Sequence, residues 1–278
     1  MRAALIQMTS GEESSANLEQ TLGYLREAKA GGAGFALTPE VTNCMSPSRS
    51  HQRTVLRHEE QDETLAAVRA EARALELWVL LGSLAVLTDD ADGRFANRSF
   101  LISPQGEIAA RYDKIHMFDV NVSETETYRE SAHFRPGEQA VTAKTDFATI
   151  GMTVCYDVRF PHLHRQLAHA GAEILTAPAA FSAVTGAAHW ETLLRARAIE
   201  TGCFVLAPAQ TGVHYMEDGV ERRTFGHSLA IAPWGEVLAD AGTDCGVTLV
   251  DLDMEEVARS RKRVPSLSHD RSFGRPDE

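Results

Sequence analysis

The chain has 278 residues, enough for one large core or at most two small domains. Apolar residues make up 44% and charged residues 24%, the mix of a soluble globular protein rather than a disordered or membrane-spanning one. The formal net charge is −12 and Arg261-Lys262-Arg263 is the only tight basic run, so nucleic acid is not the expected partner.

Residues 2–7 read as a β-strand, because the apolar run at the start is too short for a signal peptide. No apolar stretch approaches a bilayer span, and the expectation is a cytoplasmic protein with no membrane partner. A helix follows over 14–30, stopped by Gly31-Gly32. A short strand over 35–38 ends at Pro39. Leu65, Val68 and Ala72 share one face of a helix over 60–76, and 78–86 returns as a strand. Residues 97–102 and 107–112 flank Ser103-Pro104-Gln105-Gly106, a hairpin signal. The same pattern recurs at 228–231 and 236–239, around Ala232-Pro233-Trp234-Gly235. Between the hairpins lie a strand over 148–155, a helix over 161–170, a strand over 174–177, a helix over 189–201 and a strand over 204–207. Acidic Glu255 and Glu256 ahead of the basic run 259–263 suit the two ends of a helix dipole.

Val205-Leu206-Ala207 is apolar on both faces and belongs to a central, covered strand. Strand–helix alternation with one hairpin in each half implies an α/β sandwich of mixed sheets, with residues 1–278 forming one domain. Two sheets stacked with helices outside would make four layers.

No G-x-x-x-x-G-K-[ST] loop, H-E-x-x-H pair or G-x-S-x-G elbow is present, and the histidines lack ligand-like spacing. No metal and no cofactor are expected. The four cysteines, Cys44, Cys155, Cys203 and Cys245, form no C-x-x-C pair. Cys203 reads as a buried strand residue. Cys155 falls at a strand-to-helix elbow, beside Tyr156, Asp157 and Arg159, whose burial in an apolar core would be costly. Its thiol is therefore expected to be exposed at the carboxyl edge of a sheet, with helix-start N–H groups able to face an oxyanion. Glu40 ends one strand and Lys114 another, and Glu130 follows in a loop. Taken singly, each fits a solvated charge as well as a catalytic one.

Together they are distinctive. Leu37-Thr38-Pro39-Glu40, Tyr112-Asp113-Lys114-Ile115-His116 and Val154-Cys155-Tyr156-Asp157-Val158-Arg159-Phe160-Pro161 resemble, in order and spacing, the three catalytic blocks of the nitrilase superfamily of carbon–nitrogen hydrolases. The likeness extends over nearly the full length and is strongest to the Nit branch. Gly186 to Glu191, Leu194 to Glu200 and Gly226-His227-Ser228 with Pro233-Trp234-Gly235 match that branch's later motifs. The resemblance implies a four-layer α-β-β-α sandwich with two mixed sheets, paired into a homodimer or a higher homo-oligomer. It implies Cys155 as nucleophile, Glu40 as general base, Lys114 as the cation at the tetrahedral intermediate and Glu130 as a second glutamate positioning it. It places Tyr156, Arg159, Phe181 and Thr185 at the substrate, Arg159 and Thr185 at a carboxylate.

The implied reaction is hydrolysis of an amide through a thioester on Cys155, with release of ammonia, on a small anionic substrate. A guanidinium four residues past the nucleophile suits a carboxylate. Within the branch, residues 179–186 are more similar to the amidases of deaminated glutathione than to ω-amidases, as is the absence of an aromatic-containing loop after Glu40. The alternatives are ω-amidase, nitrilase or N-carbamoylase chemistry, a Cys–His hydrolase using His116 or His189, and a regulatory binding protein on the same scaffold.

Overall fold

The computed structural model describes residues 1–122, 126–215 and 221–274. The first half contains β1 (Arg2–Gln7), α1 (Ser14–Ala30), β2 (Phe35–Leu37), α2 (Arg49–Val55), α3 (Glu63–Leu75), β3 (Trp78–Val86), β4 (Ala96–Ile102) and β5 (Ile108–Asp113). A small hairpin, β6 (Asp119–Asn121) and β7 (Thr127–Arg129), leads to β8 (Val141–Lys144), β9 (Thr149–Met152), α4 (Pro161–His169), β10 (Ile174–Thr176), α5 (Ala183–Thr201) and β11 (Phe204–Ala207). The chain closes with β12 (Thr211–Tyr215), β13 (Glu221–Phe225), β14 (Leu229–Ile231), β15 (Val237–Asp240), β16 (Gly246–Asp251) and α6 (Glu255–Arg263).

Two six-stranded sheets share one plan. The first runs β16-β1-β2-β3-β4-β5, and the second runs β8-β9-β10-β11-β14-β15 when read from its other edge. In each, three consecutive parallel strands are flanked by one antiparallel strand on one side and an antiparallel pair on the other.

Strand alternation builds the layers. Ala3, Leu5, Phe35, Leu37 and Leu80 pack with Ile150 and Ile174 of the second sheet. Their neighbours Ala4, Ile6, Ala36, Val79 and Leu81 point the other way, against Leu25 and Ala28 of α1 and Leu65, Val68 and Ala72 of α3. Helices α4 and α5 pack on β9, β11 and β14 of the second sheet. This is the four-layer α-β-β-α sandwich with two mixed sheets.

Two boundaries differ from expectation. The strand expected over 148–155 stops at Met152, leaving 153–155 as the approach to the elbow. The helix expected from 189 starts at Ala183. Gly186, which argues against a helix by propensity, sits inside it because a Cβ there would lie 2.4 Å from Phe225 of β13. The glycine allows α5 and β13 to touch.

Candidate active site

The chemistry-bearing residues converge at the carboxyl ends of the two parallel trios. Glu40 is three residues beyond β2, Cys155 three beyond β9, and Lys114 directly follows β5. Glu130 opens the turn after β7.

Local sequence explains each placement. Pro39 cannot donate to a ladder and ends β2. The turn after it is held by Thr42, whose Oγ1 donates to Pro39 O at 2.7 Å and whose N–H donates to Ser83 O at 2.8 Å. Val41 takes a φ of 50°, an uncommon state for a β-branched residue, and so turns the chain just after Glu40. Cys155 also has a φ of 50°, which aims its side chain out of the strand direction. Its N–H donates to Pro178 O at 2.9 Å.

The elbow is organised by Asp157. Its carboxylate accepts from Val154 N at 2.9 Å, Tyr112 Oη at 2.6 Å and His116 N at 3.0 Å, and lies 2.7 Å from His116 Nδ1. Those partners correct one expectation. Cys155 is only 6% exposed, and Asp157 is completely buried. Polar residues were expected to keep the elbow at the surface, but hydrogen bonds remove most of their burial penalty.

Lys114 is buried, and its Nζ lies 2.9 Å from Glu40 Oε1 and 2.8 Å from both carboxylate oxygens of Glu130. Glu40 Oε2 accepts from Ala180 N at 2.8 Å, and Oε1 also accepts from Asn97 Nδ2 at 2.9 Å. Glu130 Oε2 accepts from Phe118 N at 2.6 Å. Cys155 and Glu40 line the same cavity wall, and the Glu40 carboxylate acts on the thiol.

Electrostatics follow from this packing. Burial alone would raise Glu40, but the charge and hydrogen bond of Lys114 outweigh it and hold the carboxyl below its usual range. Burial would likewise lower Lys114, yet Glu130 and Glu40 raise it, so the amine stays charged. Burial and the neighbouring Glu40 push the Cys155 thiol well up, so sulfur keeps its proton at rest.

These groups line a cavity of about 740 Å³, within the range of small-molecule sites. Glu40, Lys114, Glu130, Cys155, Tyr156 and Phe181 are in its wall. Arg159 and Thr185 are not among the lining residues. The Arg159 guanidinium lies 5.4 Å from the Phe181 ring and 5.8 Å from the Tyr156 ring, and its Nη2 is 3.3 Å from His189 Nδ1. Thr185 stands in the first turn of α5, with its hydroxyl buried and without a hydrogen-bond partner. Among the described residues, no group of three or more His, Cys, Asp or Glu side chains could hold a metal ion.

Three contributors lie outside the site residues expected from the sequence. Asn97 links Glu40 to Glu130, to which its Nδ2 is 3.4 Å, and accepts from Ser83 Oγ. Its signal was an asparagine inside a strand, where that residue is disfavoured. Asp157 organises the elbow, and Arg222 of β13 enters the cavity wall.

Residues 2–262 match the carbon–nitrogen hydrolase family. The chain belongs to that family. A deaminated glutathione amidase of Yersinia enterocolitica is 39% identical over 272 residues, covering 96% of this chain and 92% of the relative. The C. elegans NitFhit protein superposes with a TM-score of 0.88 at 32% identity, over 97% of this chain and 65% of that one. Saccharomyces cerevisiae Nit3, a member of branch 10 of the nitrilase superfamily, gives 0.83 at 25% identity, over 95% of this chain and 94% of that one. This carbon–nitrogen hydrolase thus carries a thiol, an ionised carboxylate and a buried ammonium in one cavity wall, next to space for a small molecule.

Proposed function

We propose that the chain is an amidase acting on a small anionic amide, deaminated glutathione or a close analogue, through a thioester on Cys155. The observation that carries this reading is Cys155 and Glu40 in one cavity wall, with the Glu40 carboxylate held in turn by Lys114.

Sulfur attacks the amide carbon as its proton passes to Glu40, the new S–C bond forming while the carbonyl electrons move to oxygen. The resulting oxyanion is stabilised by Lys114 and the N–H of Tyr156. Glu130, already sharing Lys114 with Glu40, keeps the ammonium in place when a carbonyl oxygen competes for one of its protons. Glu40 then returns the proton to nitrogen as the C–N bond breaks. From a primary amide the nitrogen leaves as ammonia; from a substituted amide such as those of deaminated glutathione it leaves as an amine. Water, deprotonated by Glu40, releases the acid from the thioester and restores the thiol.

The Cys–His alternative is disfavoured by geometry. His116 is engaged by Asp157 and stacked on Phe160 with ring centroids 3.5 Å apart, His189 faces Arg159, and neither lines the cavity. The reading treats residues 1–278 as one catalytic domain, cytoplasmic and at least dimeric. Pairing is supported by exposed apolar side chains on or beside the second sheet's helices, Ile199, Trp234 and Val264.

Incubation with deaminated glutathione and, separately, α-ketoglutaramate tests the activity. The expected result is amine and acid production from the first at the higher kcat/KM, with an acyl adduct on Cys155 trapped by rapid quenching and mass spectrometry. Turnover confined to nitriles or carbamoyl compounds would overturn the amidase reading.

A further inference from the structure

The cavity wall contains a guanidinium, that of Arg222, which forms no ion pair with a carboxylate of the described residues, its charge reaching Glu40 only from a distance. Arg222 of β13 donates from Nη2 to Ala180 O at 2.9 Å, and its Nη1 is 3.3 Å from the weak acceptor Met45 Sδ. Its Nε is buried and has no hydrogen-bond partner. The plane sits over the Tyr128 ring, 5.6 Å from the centroid, which stiffens it for a planar ligand.

The other charges nearby are engaged. Lys114 holds Glu40 and Glu130, Glu126 accepts from the hydroxyls of Tyr128 and Ser182, and Arg223 pairs with Glu221. Arg222 is also close to the reacting groups. Ala180 donates its N–H to Glu40 and accepts from Arg222 through its own carbonyl, so one residue's backbone separates the guanidinium from the proposed base.

We propose that Arg222 is the residue that binds a carboxylate of the substrate, making this hydrolase selective for amides that carry an anion near the scissile carbonyl. The inference deepens the amidase reading and takes its ligand from it. A guanidinium that lines the cavity and stands in no ion pair among the described residues can take a carboxylate in a charge-assisted contact, whereas the Arg159 guanidinium sits over the Tyr156 and Phe181 rings and does not line the cavity.

The test uses binding, so that it does not depend on turnover. In a Cys155→Ala background, deaminated glutathione and its analogue with carboxylates converted to carboxamides are titrated by calorimetry. Adding Arg222→Gln should weaken binding of the anionic ligand about 10–100-fold and leave the neutral one within about 3-fold. Arg222→Lys, which keeps the charge but not the fork, should fall between. Equal effects on both ligands, no effect on either, or no binding of the anionic ligand at all would overturn the proposal. So would a charge-selective loss produced by Arg159→Gln and not by Arg222→Gln. Arg222-dependent binding without any amide turnover by the unaltered protein would sink the amidase reading and leave this one standing.

Discussion

Lys114 keeps a full charge at 2% exposure because Glu40 and Glu130 both face it. Removing it strands the buried carboxylate of Glu40 and the partly buried one of Glu130, a change that costs about 3–5 kcal/mol, whereas removing the Cys155 sulfur leaves no charge unpaired. Lys114→Ala should therefore lower Tm by on the order of 10 °C as well as abolish turnover. Cys155→Ala should abolish turnover with a much smaller thermal shift. Melting curves by circular dichroism beside an amide assay check this, and equal melting of the two variants would show that the ion triplet does not support the fold. Glu40, Lys114 and Cys155 were legible in the sequence because each follows a strand within a recognisable block. Arg222 was not, since nothing in Glu221-Arg222-Arg223 marks one arginine as facing a cavity and its neighbour as paired with Glu221. Cys44 also lines the cavity, with its thiol lifted by burial to about 12, and nothing in Val41-Thr42-Asn43-Cys44 marks it as a cavity residue.

The elbow between β9 and α4 depends on a side chain outside the reacting set. Asp157 ties Val154, beyond the strand end, to Tyr112 of β5 and to His116 two residues past Lys114, and so fixes Cys155 and Lys114 relative to one another. Asp157→Ala would leave several buried donors unpaired, each costing about 1–3 kcal/mol. Tyr112→Phe removes one hydrogen bond and should cost about 1 kcal/mol, lowering kcat more than it raises KM because the reacting groups move relative to each other. Steady-state kinetics and urea melts of Tyr112→Phe decide it; an unchanged kcat with a raised KM would place the network at substrate binding instead. At this scale most of the fold was readable, since strand alternation and caps act locally, as in α1 and β3. The sequence pattern does not show α2, β8, β16 or the hairpins β6–β7 and β12–β13, and it starts α5 six residues late. For α5 a tertiary contact bears on the start: Gly186, poor in a helix by its own preference, lies against Phe225, where a Cβ would not fit.

Across the whole molecule, two histidines set the response to acid. His164 and His214 are each 1% exposed, and burial lowers both to about 4, against about 6.5 in an unfolded chain. A folded pKa below the unfolded one means the unfolded state binds protons first. Each histidine therefore contributes stability that is complete above pH 6.5 and is lost as pH falls toward 4, at up to about 1.4 kcal/mol per unit and on the order of 3 kcal/mol in all. Together they approach the whole stability of an ordinary fold, about 5–15 kcal/mol. The ion triplet responds elsewhere. Glu40, with its pKa depressed, supports the fold above the usual carboxylate range of about 4.3 and fails below it. Lys114, raised, contributes fully below about 10.4 and is lost only at higher pH. Acid should therefore unfold the enzyme before it titrates Glu40, the proposed base. Between pH 7 and 5, Tm is expected to fall steadily while kcat/KM in brief assays below Tm stays nearly flat. His164→Leu, which removes one titrating group along with the ring's 3.2 Å contact to Phe160 O, should melt slightly lower at pH 7 but lose Tm less steeply on acidification. A variant slope as steep as that of the unaltered chain would assign the acid response to other groups.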